Sequence, residues 1–263
     1  MGIAMIRTKN NSIKVFLIGL LLISASGLTG QNGYCEELTP KEILQRADEA
    51  RGNLQGIKWE VKISSVENGR EQNRAIDVKA RGYDFFAILK APPKVRGQIL
   101  LMADHNMWFA SPGLSKALPV SPRQRLVGGA AYGDIASTNY AEDYHATPLN
   151  DEMVDGELCY VFDLKAVTKN VTYDRIIYWV SKDRLVGIRS DFFTVSGKKF
   201  KVATMEYSHE VDMGDNRMPF VSRIVIKDIF LEDNVTTMSF SEPILEKIPD
   251  STFDINLLIM RSI

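Results

Sequence analysis

Short segments in which apolar and polar residues alternate constrain the fold of this chain more than any other feature. Trp59, Val61 and Ile63 alternate with charged residues, which is the pattern of a strand with one buried face. Polar turns such as Glu67-Asn68-Gly69 separate successive segments, and turns of this kind join antiparallel strands. The alternation continues almost to the end of the sequence. It predicts a large antiparallel sheet in a single α+β domain that is mainly β.

One helix is predicted near each end of the domain. Thr39 can cap a helix, Pro40 fits its first position and Glu42 completes a capping box. A second, shorter helix is predicted from Thr252 to Leu258, after the turn residues Pro249-Asp250-Ser251. We expect both helices to pack on the concave side of a strongly curved sheet. Such a sheet can enclose an apolar cavity.

The stretch from Gly97 to Tyr144 interrupts the regular alternation. Its first half reads as two strands joined by a turn at Asp104-His105-Asn106. Its second half, residues 117–144, mixes proline, glycine, apolar residues and basic residues. Long loops inside compact domains are usually functional. We therefore predict that residues 117–144 form a mobile lid or a partner surface.

The N-terminus has the order of a secretory signal. Arg7, Lys9 and Lys14 precede the apolar run Val15 to Ile23, and small residues follow. The apolar run is short for a membrane span, which takes about 20 residues. Residues 1–35 are therefore predicted to be a signal peptide, and an uncleaved anchor is the alternative.

Cleavage is expected somewhere between residues 27 and 35, which leaves residues 36–263 as the mature domain. Lipidation of Cys35 is not expected, because Asn32-Gly33-Tyr34 departs from the aliphatic and small residues of a lipobox. The mature protein is then expected to be soluble, exported and periplasmic.

No constellation for catalysis, metal binding or cofactor binding stands out. His105, His145 and His209 have no histidine or cysteine at ligand spacing, and two cysteines cannot form a structural zinc site. Nucleophile-elbow, Walker and dinucleotide motifs are absent from the sequence. The formal net charge of −1 gives no support for a nucleic-acid surface. We expect no enzyme activity, no cofactor and no metal.

Several segments, in this order, resemble the bacterial outer-membrane lipoprotein-sorting protein family, the LolA-like superfamily, and in particular its longer periplasmic members. They are Leu38-Thr39-Pro40-Lys41-Glu42-Ile43-Leu44, Ala91-Pro92-Pro93-Lys94-Val95-Arg96-Gly97, Met107-Trp108-Phe109-Ala110-Ser111-Pro112-Gly113-Leu114-Ser115-Lys116 and Ile248-Pro249-Asp250-Ser251-Thr252-Phe253. The resemblance implies an incomplete β-barrel closed by short helices, with an apolar cavity that receives lipid acyl chains. It implies no enzymatic activity.

The central loop departs from the pattern of those longer members. Basic residues remain as Arg123-Gln124-Arg125, but the Met-Gly-Ser-Asp sequence expected after them is not intact between Tyr132 and Tyr144. The resemblance therefore implies a shared fold without fixing a shared ligand.

These observations lead to specific residue predictions. The cavity lining is predicted to include Trp59, Val61, Ile63, Phe85, Trp108, Phe109 and Leu114. Arg123 and Arg125 are predicted to meet a lipid headgroup or a membrane partner, and the alternative is that they are solvated loop charges.

The predicted function is a periplasmic carrier of lipid or lipoprotein acyl chains, monomeric, working towards the outer membrane. Its partners would be the acyl chains, with a membrane transporter or an outer-membrane acceptor as further candidates, and no nucleic acid. The alternative is a non-catalytic periplasmic module that senses or binds a partner with the same fold.

Overall fold

A computed structural model describes residues 38–136 and 138–258, so the predicted signal peptide at residues 1–35 lies outside the described residues. The first helix, α1 (Pro40–Glu49), begins with the predicted capping box. The Thr39 backbone N–H donates to the Glu42 carboxylate at 2.8 Å, and the Glu42 N–H donates to Thr39 Oγ1 at 3.3 Å. Ile43, Leu44 and Ala47 form the buried face of α1.

Short, mostly antiparallel strands make up most of the remaining chain. In chain order they are β1 (Ile57–Glu67), β2 (Arg70–Arg81), β3 (Asp84–Ala91), β4 (Ile99–Ala103), β5 (Asn106–Ala110), β6 (Leu118–Val120), β7 (Arg125–Val127), β8 (Ala130–Ala131), β9 (Tyr144–Val154), β10 (Glu157–Ala166), β11 (Arg175–Ser181), β12 (Gly187–Phe193), β13 (Lys199–Glu206), β14 (His209–Asp212), β15 (Arg217–Phe220), β16 (Arg223–Asp228), β17 (Val235–Phe240) and β18 (Ile244–Leu245). Helix α2 (Tyr140–Asp143) precedes β9, and 3₁₀ turns occupy Pro93–Val95, Tyr132–Asp134, Asp250–Phe253 and Ile255–Leu257.

One 14-stranded sheet organises the domain. Its order is β6-β5-β4-β3-β2-β1-β17-β16-β13-β12-β11-β10-β9, with β18 paired to β1. Neighbouring strands run antiparallel, as the turn-rich sequence predicts. Within the described residues no ladder joins β6 to β9, so the curved sheet does not close into a complete barrel. The predicted fold, a curved and incomplete barrel, is confirmed.

The sheet has two apolar faces. We call the face that carries Trp59, Val61 and Ile63 the inner face; helix α1 packs there, in the largest apolar cluster of the described residues. The outer face, opposite to it, carries a second cluster that includes Phe86 and Leu101. Adjacent residues of a strand point to opposite faces, so these strands need a cover on both sides.

The C-terminal turns provide the outer cover, and here one expectation was wrong. Phe253 and Leu258 pack against the outer cluster, and this segment consists of 3₁₀ turns rather than one helix on the concave side. The physical reason is the run Phe85-Phe86 in β3, in which the first ring points to the inner face and the second to the outer face.

Two further strand boundaries differ from the sequence pattern. Residues 144–154, for which the sequence pattern predicts no strand, form the edge strand β9, where Pro148 is tolerated because one side of the strand needs no ladder partner. The alternation from Phe200 to Val211 predicts one strand, but β13 ends at Glu206 and β14 forms a separate hairpin with β15.

Candidate functional site

Most of the central loop lies inside the sheet. We call residues 121–136 together with 138–143 the insert. Its strands β7 and β8 form a small two-stranded ladder. Val127, Ala130 and Ile135 are buried in the same apolar cluster as Ile63 and Ile226 of the inner face. The insert therefore occupies space that a ligand inside the sheet would need.

Gly128 and Gly129 make the closest approach of the insert to the sheet. Gly128 has a φ of +56°, and a Cβ at this position would lie 1.9 Å from Ser65 Oγ. The Gly129 N–H donates to Thr236 Oγ1 at 2.8 Å, and that hydroxyl donates to Ser65 Oγ at 3.0 Å. A side chain at Gly128 would prevent this contact. The Gly-Gly pair thus serves packing against strands β1 and β17.

A buried ion pair anchors the insert to β13. Lys201 is 5% exposed, and its Nζ donates to the Gly129 carbonyl at 2.8 Å and to Asp134 Oδ2 at 3.2 Å. The Tyr173 hydroxyl contacts Lys201 Nζ and donates to Asp134 Oδ2 at 2.7 Å, and the Ala131 N–H donates to the same oxygen at 2.8 Å. Burial lowers the pKa of Lys201 and raises the pKa of Tyr173 well above its usual range.

Helix α1 and the turn after it hold the other end of the insert. Asp48, which is 1% exposed, accepts a hydrogen bond from the Ala141 N–H at 2.9 Å. Burial raises the pKa of Asp48 to about 7, although the Ala141 hydrogen bond opposes that shift. The Arg51 guanidinium lies 5.7 Å from the centroid of the Tyr140 ring. The middle and the C-terminal end of the insert are therefore tied to the domain by polar groups that are removed from water.

The two loop arginines are paired with acids in this structure. Arg123 donates to the Val171 carbonyl at 2.9 Å and to Asp174 Oδ2 at 2.7 Å. Arg125 lies 3.2 Å from Glu67 Oε1, and its side chain is 66% exposed. Both pairs tie the insert to the rim of the sheet, so each arginine would have to exchange an acid for a headgroup.

The structure brings together five of the seven residues predicted to line a cavity. The five on the inner face are Trp59, Val61, Ile63, Phe85 and Phe109. Trp108 precedes Phe109 in β5 and packs with the outer cluster, because neighbouring strand residues face opposite sides. Leu114 is half-buried in the turn after β5 and is not part of that group. Contact of these residues with an acyl chain stays a prediction.

Two cavities flank the insert. The mouth cavity, of about 470 Å³, lies between the insert and the hairpin turns at one end of the sheet, and Arg125, Gly128, Val195 and Phe200 help to line it. The helix-side cavity, of about 390 Å³, is lined by Arg51, Tyr83, His105, Tyr140 and Asp143 among others.

Asp143, which lines the helix-side cavity, has a raised pKa. The pKa of Asp143 rises to about 6 because burial raises it, with nearby His105 opposing the shift and Glu142 adding to it. The two cavities thus lie on either side of an insert that is packed in place.

Sequence reasoning missed the Lys201 anchor, although a signal was present. Lys201, Ala203 and Met205 are alternate residues of β13 and therefore point to the same face of the sheet. Ala203 and Met205 are buried. A lysine at an inward position of a strand indicates a buried partner, and Asp134 is that partner. The sequence does not show which acid it is, because residues 134 and 201 meet only through the path of the insert.

The described residues contain neither a helix that could span a membrane nor a metal-binding cluster of side chains. No helix among the described residues has the length and apolar character to cross a bilayer. Over residues 38–136 and 138–258, no three side chains of His, Cys, Asp or Glu are grouped so that they could hold a metal ion.

Comparison with known proteins places this fold. A family model described as an uncharacterized protein matches residues 82–259, and no curated protein sequence matches the chain. The structure of a LolA superfamily protein from Nitrosomonas europaea is similar with a TM-score of 0.76 at 28% identity, covering 84% of this chain and 99% of that one.

Two more distant structures share the fold. An outer membrane lipoprotein-sorting protein domain from Vibrio parahaemolyticus has a TM-score of 0.71 at 18% identity, over 83% of this chain and 97% of that one. A DUF1329 family protein from Desulfovibrio piger has a TM-score of 0.70 at 19% identity, with the same coverage. The open antiparallel sheet, the capped helix and these similarities agree: the chain belongs to the family of the model that matches residues 82–259, and its fold is that of the LolA superfamily.

Proposed function

We propose that this protein is a non-enzymatic periplasmic carrier that binds an acyl chain of a lipid or lipoprotein and moves it towards the outer membrane. The observation that supports the proposal is the insert itself. It covers an apolar inner face, yet polar contacts such as Lys201–Asp134 and Ala141–Asp48 hold it there. Polar groups regain hydrogen bonds to water when the insert leaves, whereas its buried residues Val127, Ala130 and Ile135 need an apolar ligand to replace them on the inner face.

The free energy gained by burying an acyl chain is comparable to the free energy needed to displace the insert. Burial of an acyl chain contributes about 0.8 kcal/mol per CH₂, so about ten methylenes contribute about 8 kcal/mol. Local opening of a segment costs some fraction of the global unfolding free energy, which is about 5–15 kcal/mol for a typical domain. A bound acyl chain can therefore offset the cost of displacing the insert.

Displacement would also expose charge at the rim. Arg123 and Arg125 now pair with Asp174 and Glu67. When the insert leaves, both guanidinium groups lose these acids and become available to a phosphate or carboxylate group of a lipid. This gives the two loop arginines a role in the loaded state that they do not have in the closed state.

Export to the periplasm is proposed on the signal-like order of residues 1–35. A monomeric carrier that exchanges its cargo with a membrane transporter or an outer-membrane acceptor is consistent with an insert that opens within one chain. The name of one similar structure, an outer membrane lipoprotein-sorting protein domain, supports the same role.

Lipid mass spectrometry of the exported protein tests the proposal. We expect the protein purified from its periplasm without detergent to release acyl-chain lipids on extraction with organic solvent. Protein that releases none, and that also binds no fluorescent fatty acid in solution, would contradict the carrier role.

A partner-binding module is the second candidate, and strand β9 favours it. β9 is 11 residues long and lies at the end of the sheet order. On it Met153 is 64% exposed and Leu149 46% exposed. An exposed edge of this length can accept a strand from another protein. A partner lost on Leu149→Lys substitution, together with an absence of bound lipid, would favour this candidate.

A further inference from the structure

Three hairpin turns meet at the mouth cavity. They are residues 67–70, 194–198 and 228–234, at the same end of the sheet. The Asn68 N–H donates to Asn234 Oδ1 at 3.0 Å, which joins the first turn to the third. Lys198 Nζ lies 4.4 Å from the centroid of the Phe230 ring, which joins the second to the third. We call residues 194–198 and 228–234 the mouth tips.

The mouth tips expose large apolar side chains. Val195 is 84% exposed, Phe230 is 55% exposed and Leu231 is 51% exposed. Val195 also lines the mouth cavity. An exposed apolar group of this kind, at the rim of a cavity, indicates contact with an apolar surface.

Hydrogen bonds hold these side chains outward. The Phe230 and Leu231 N–H groups donate to Asp228 Oδ1 at 2.7 and 3.0 Å, and the Asn234 N–H donates to the Leu231 carbonyl at 2.8 Å. In the other tip the Lys198 N–H donates to Thr194 Oγ1 at 3.1 Å. These hydrogen bonds fix the mouth tips in a projecting conformation. The tips therefore lose little further conformational entropy when they meet a partner.

The geometry points to a lipid bilayer surface as the partner of the mouth tips, with Val195, Phe230 and Leu231 inserting below the headgroups. A specific protein interface buries about 800 Å² on each partner, and three side chains on two convex tips offer much less than that. Convex apolar tips suit a fluid surface that closes around them. Lys198 can keep its ammonium group at headgroup level while its stem follows the Phe230 ring.

Charge on the tips indicates how the membrane is recognised. Within the mouth tips the one basic residue, Lys198, is outnumbered by Asp228, Glu232 and Asp233. Insertion of apolar side chains should therefore dominate over attraction to anionic lipids. Docking in this orientation, which rests on the proposed carrier function for its purpose, would place the mouth cavity against the source or destination of the acyl chain.

Vesicle co-sedimentation tests the inference. We expect the wild-type chain to bind vesicles of phosphatidylcholine, and to bind equal mixtures of phosphatidylcholine and phosphatidylglycerol with an affinity within about threefold, at low and high salt. The triple variant Val195→Ser, Phe230→Ser, Leu231→Ser should lose at least about tenfold in affinity, which is about 1.4 kcal/mol. The matched control Leu149→Ser, Met153→Ser removes exposed apolar groups from β9 and should bind as the wild type does.

Three results would overturn the docking proposal: no binding by the wild type, equal binding by the triple variant, or binding that needs phosphatidylglycerol and disappears in salt. Thermal unfolding of each variant confirms that it is folded. Uptake of a soluble fluorescent fatty acid separates this proposal from the carrier function. The double variant Phe230→Ser, Leu231→Ser, which leaves Val195 in the lining of the mouth cavity, should lose vesicle binding but retain that uptake. Failure of the carrier function would instead remove uptake from the wild type and leave vesicle binding unaffected.

Discussion

Charged side chains, among them Lys201 and Asp48, are buried in the interior of this protein. Lys201 donates to Asp134 and to the Gly129 carbonyl of the insert, and the Tyr173 hydroxyl also donates to Asp134. Asp48 accepts a hydrogen bond from the Ala141 N–H. Breaking a buried ion pair by removing one partner destabilises a protein more than the net contribution of the pair, because the other charge is left uncompensated. These groups therefore determine whether the insert stays in place.

Substitution of Asp48 should change the pH dependence of stability. Its folded-state pKa of about 7 exceeds the ordinary value of 3.8, so the folded protein keeps a proton that the unfolded chain has released between these values. The free energy of unfolding of the wild type should fall as pH rises through this window, by about 1.4 kcal/mol for each unit of raised pKa. In Asp48→Asn, which keeps an acceptor for the Ala141 N–H, much of this slope should disappear.

Urea unfolding between about pH 4 and pH 8 measures that slope. Asp143, whose pKa is also raised by burial, contributes with the same sign and should leave a smaller residual slope. Asp155→Asn, at an exposed turn, is the control and should follow the wild type. Identical slopes in Asp48→Asn and the wild type would contradict the assignment of Asp48.

Lys201→Met should destabilise the protein by about 3 kcal/mol, since the Asp134 side chain, which is 11% exposed, would lose its charged partner. Adding Asp134→Asn to Lys201→Met should recover part of that loss, because the uncompensated charge is then removed. Denaturant midpoints of the single and double variants give the comparison. A double variant that is less stable than Lys201→Met by the full cost of a second independent substitution would show that the two residues do not act together.

At the scale of elements, the capping box of α1, the Trp59 strand and most of the hairpins followed from local pattern. Those features depend on residues near one another in sequence, which is why they could be predicted. The strand β9 could not, since Pro148 and its polar neighbours resemble a loop until the strand is seen at an edge. The face covered by Phe253 also depends on which side of a distant strand Phe86 occupies.

Gly128→Ala should detach the insert. A Cβ at Gly128 would lie 1.9 Å from Ser65 Oγ and 2.3 Å from Thr236 Oγ1. Gly69→Ala is the matched control, because Gly69 also has a positive φ, +73°, but a methyl group there would meet no atom within 4 Å. We expect faster hydrogen exchange in residues 121–136 for Gly128→Ala and unchanged exchange there for Gly69→Ala. Equal protection in both variants would show that close contact at Gly128 does not hold the insert.

For the whole molecule, the sequence predicted the open sheet but not the segment that fills it. The alternation of residues indicated the sheet and the family resemblance indicated an incomplete barrel. Neither showed that the central loop turns inward, because this depends on the glycine contact with Ser65 and on Lys201 meeting Asp134. We expect an acyl chain to enter the sheet only when the insert leaves.

A reversible disulfide between the insert and the sheet tests whether the insert has to move. A Cβ on Gly129 would lie 3.9 Å from Ile226 Cβ, within the separation of about 3.5–4.5 Å that a disulfide needs. The single variants Gly129→Cys and Ile226→Cys control for the substitutions, and mass measurement verifies the bond in the double variant. The measurement is uptake of a fluorescent fatty acid. We expect the oxidised double variant to take up none, and reduction to restore uptake to the level of the single variants. Undiminished uptake with the disulfide intact would show that the ligand enters without movement of the insert.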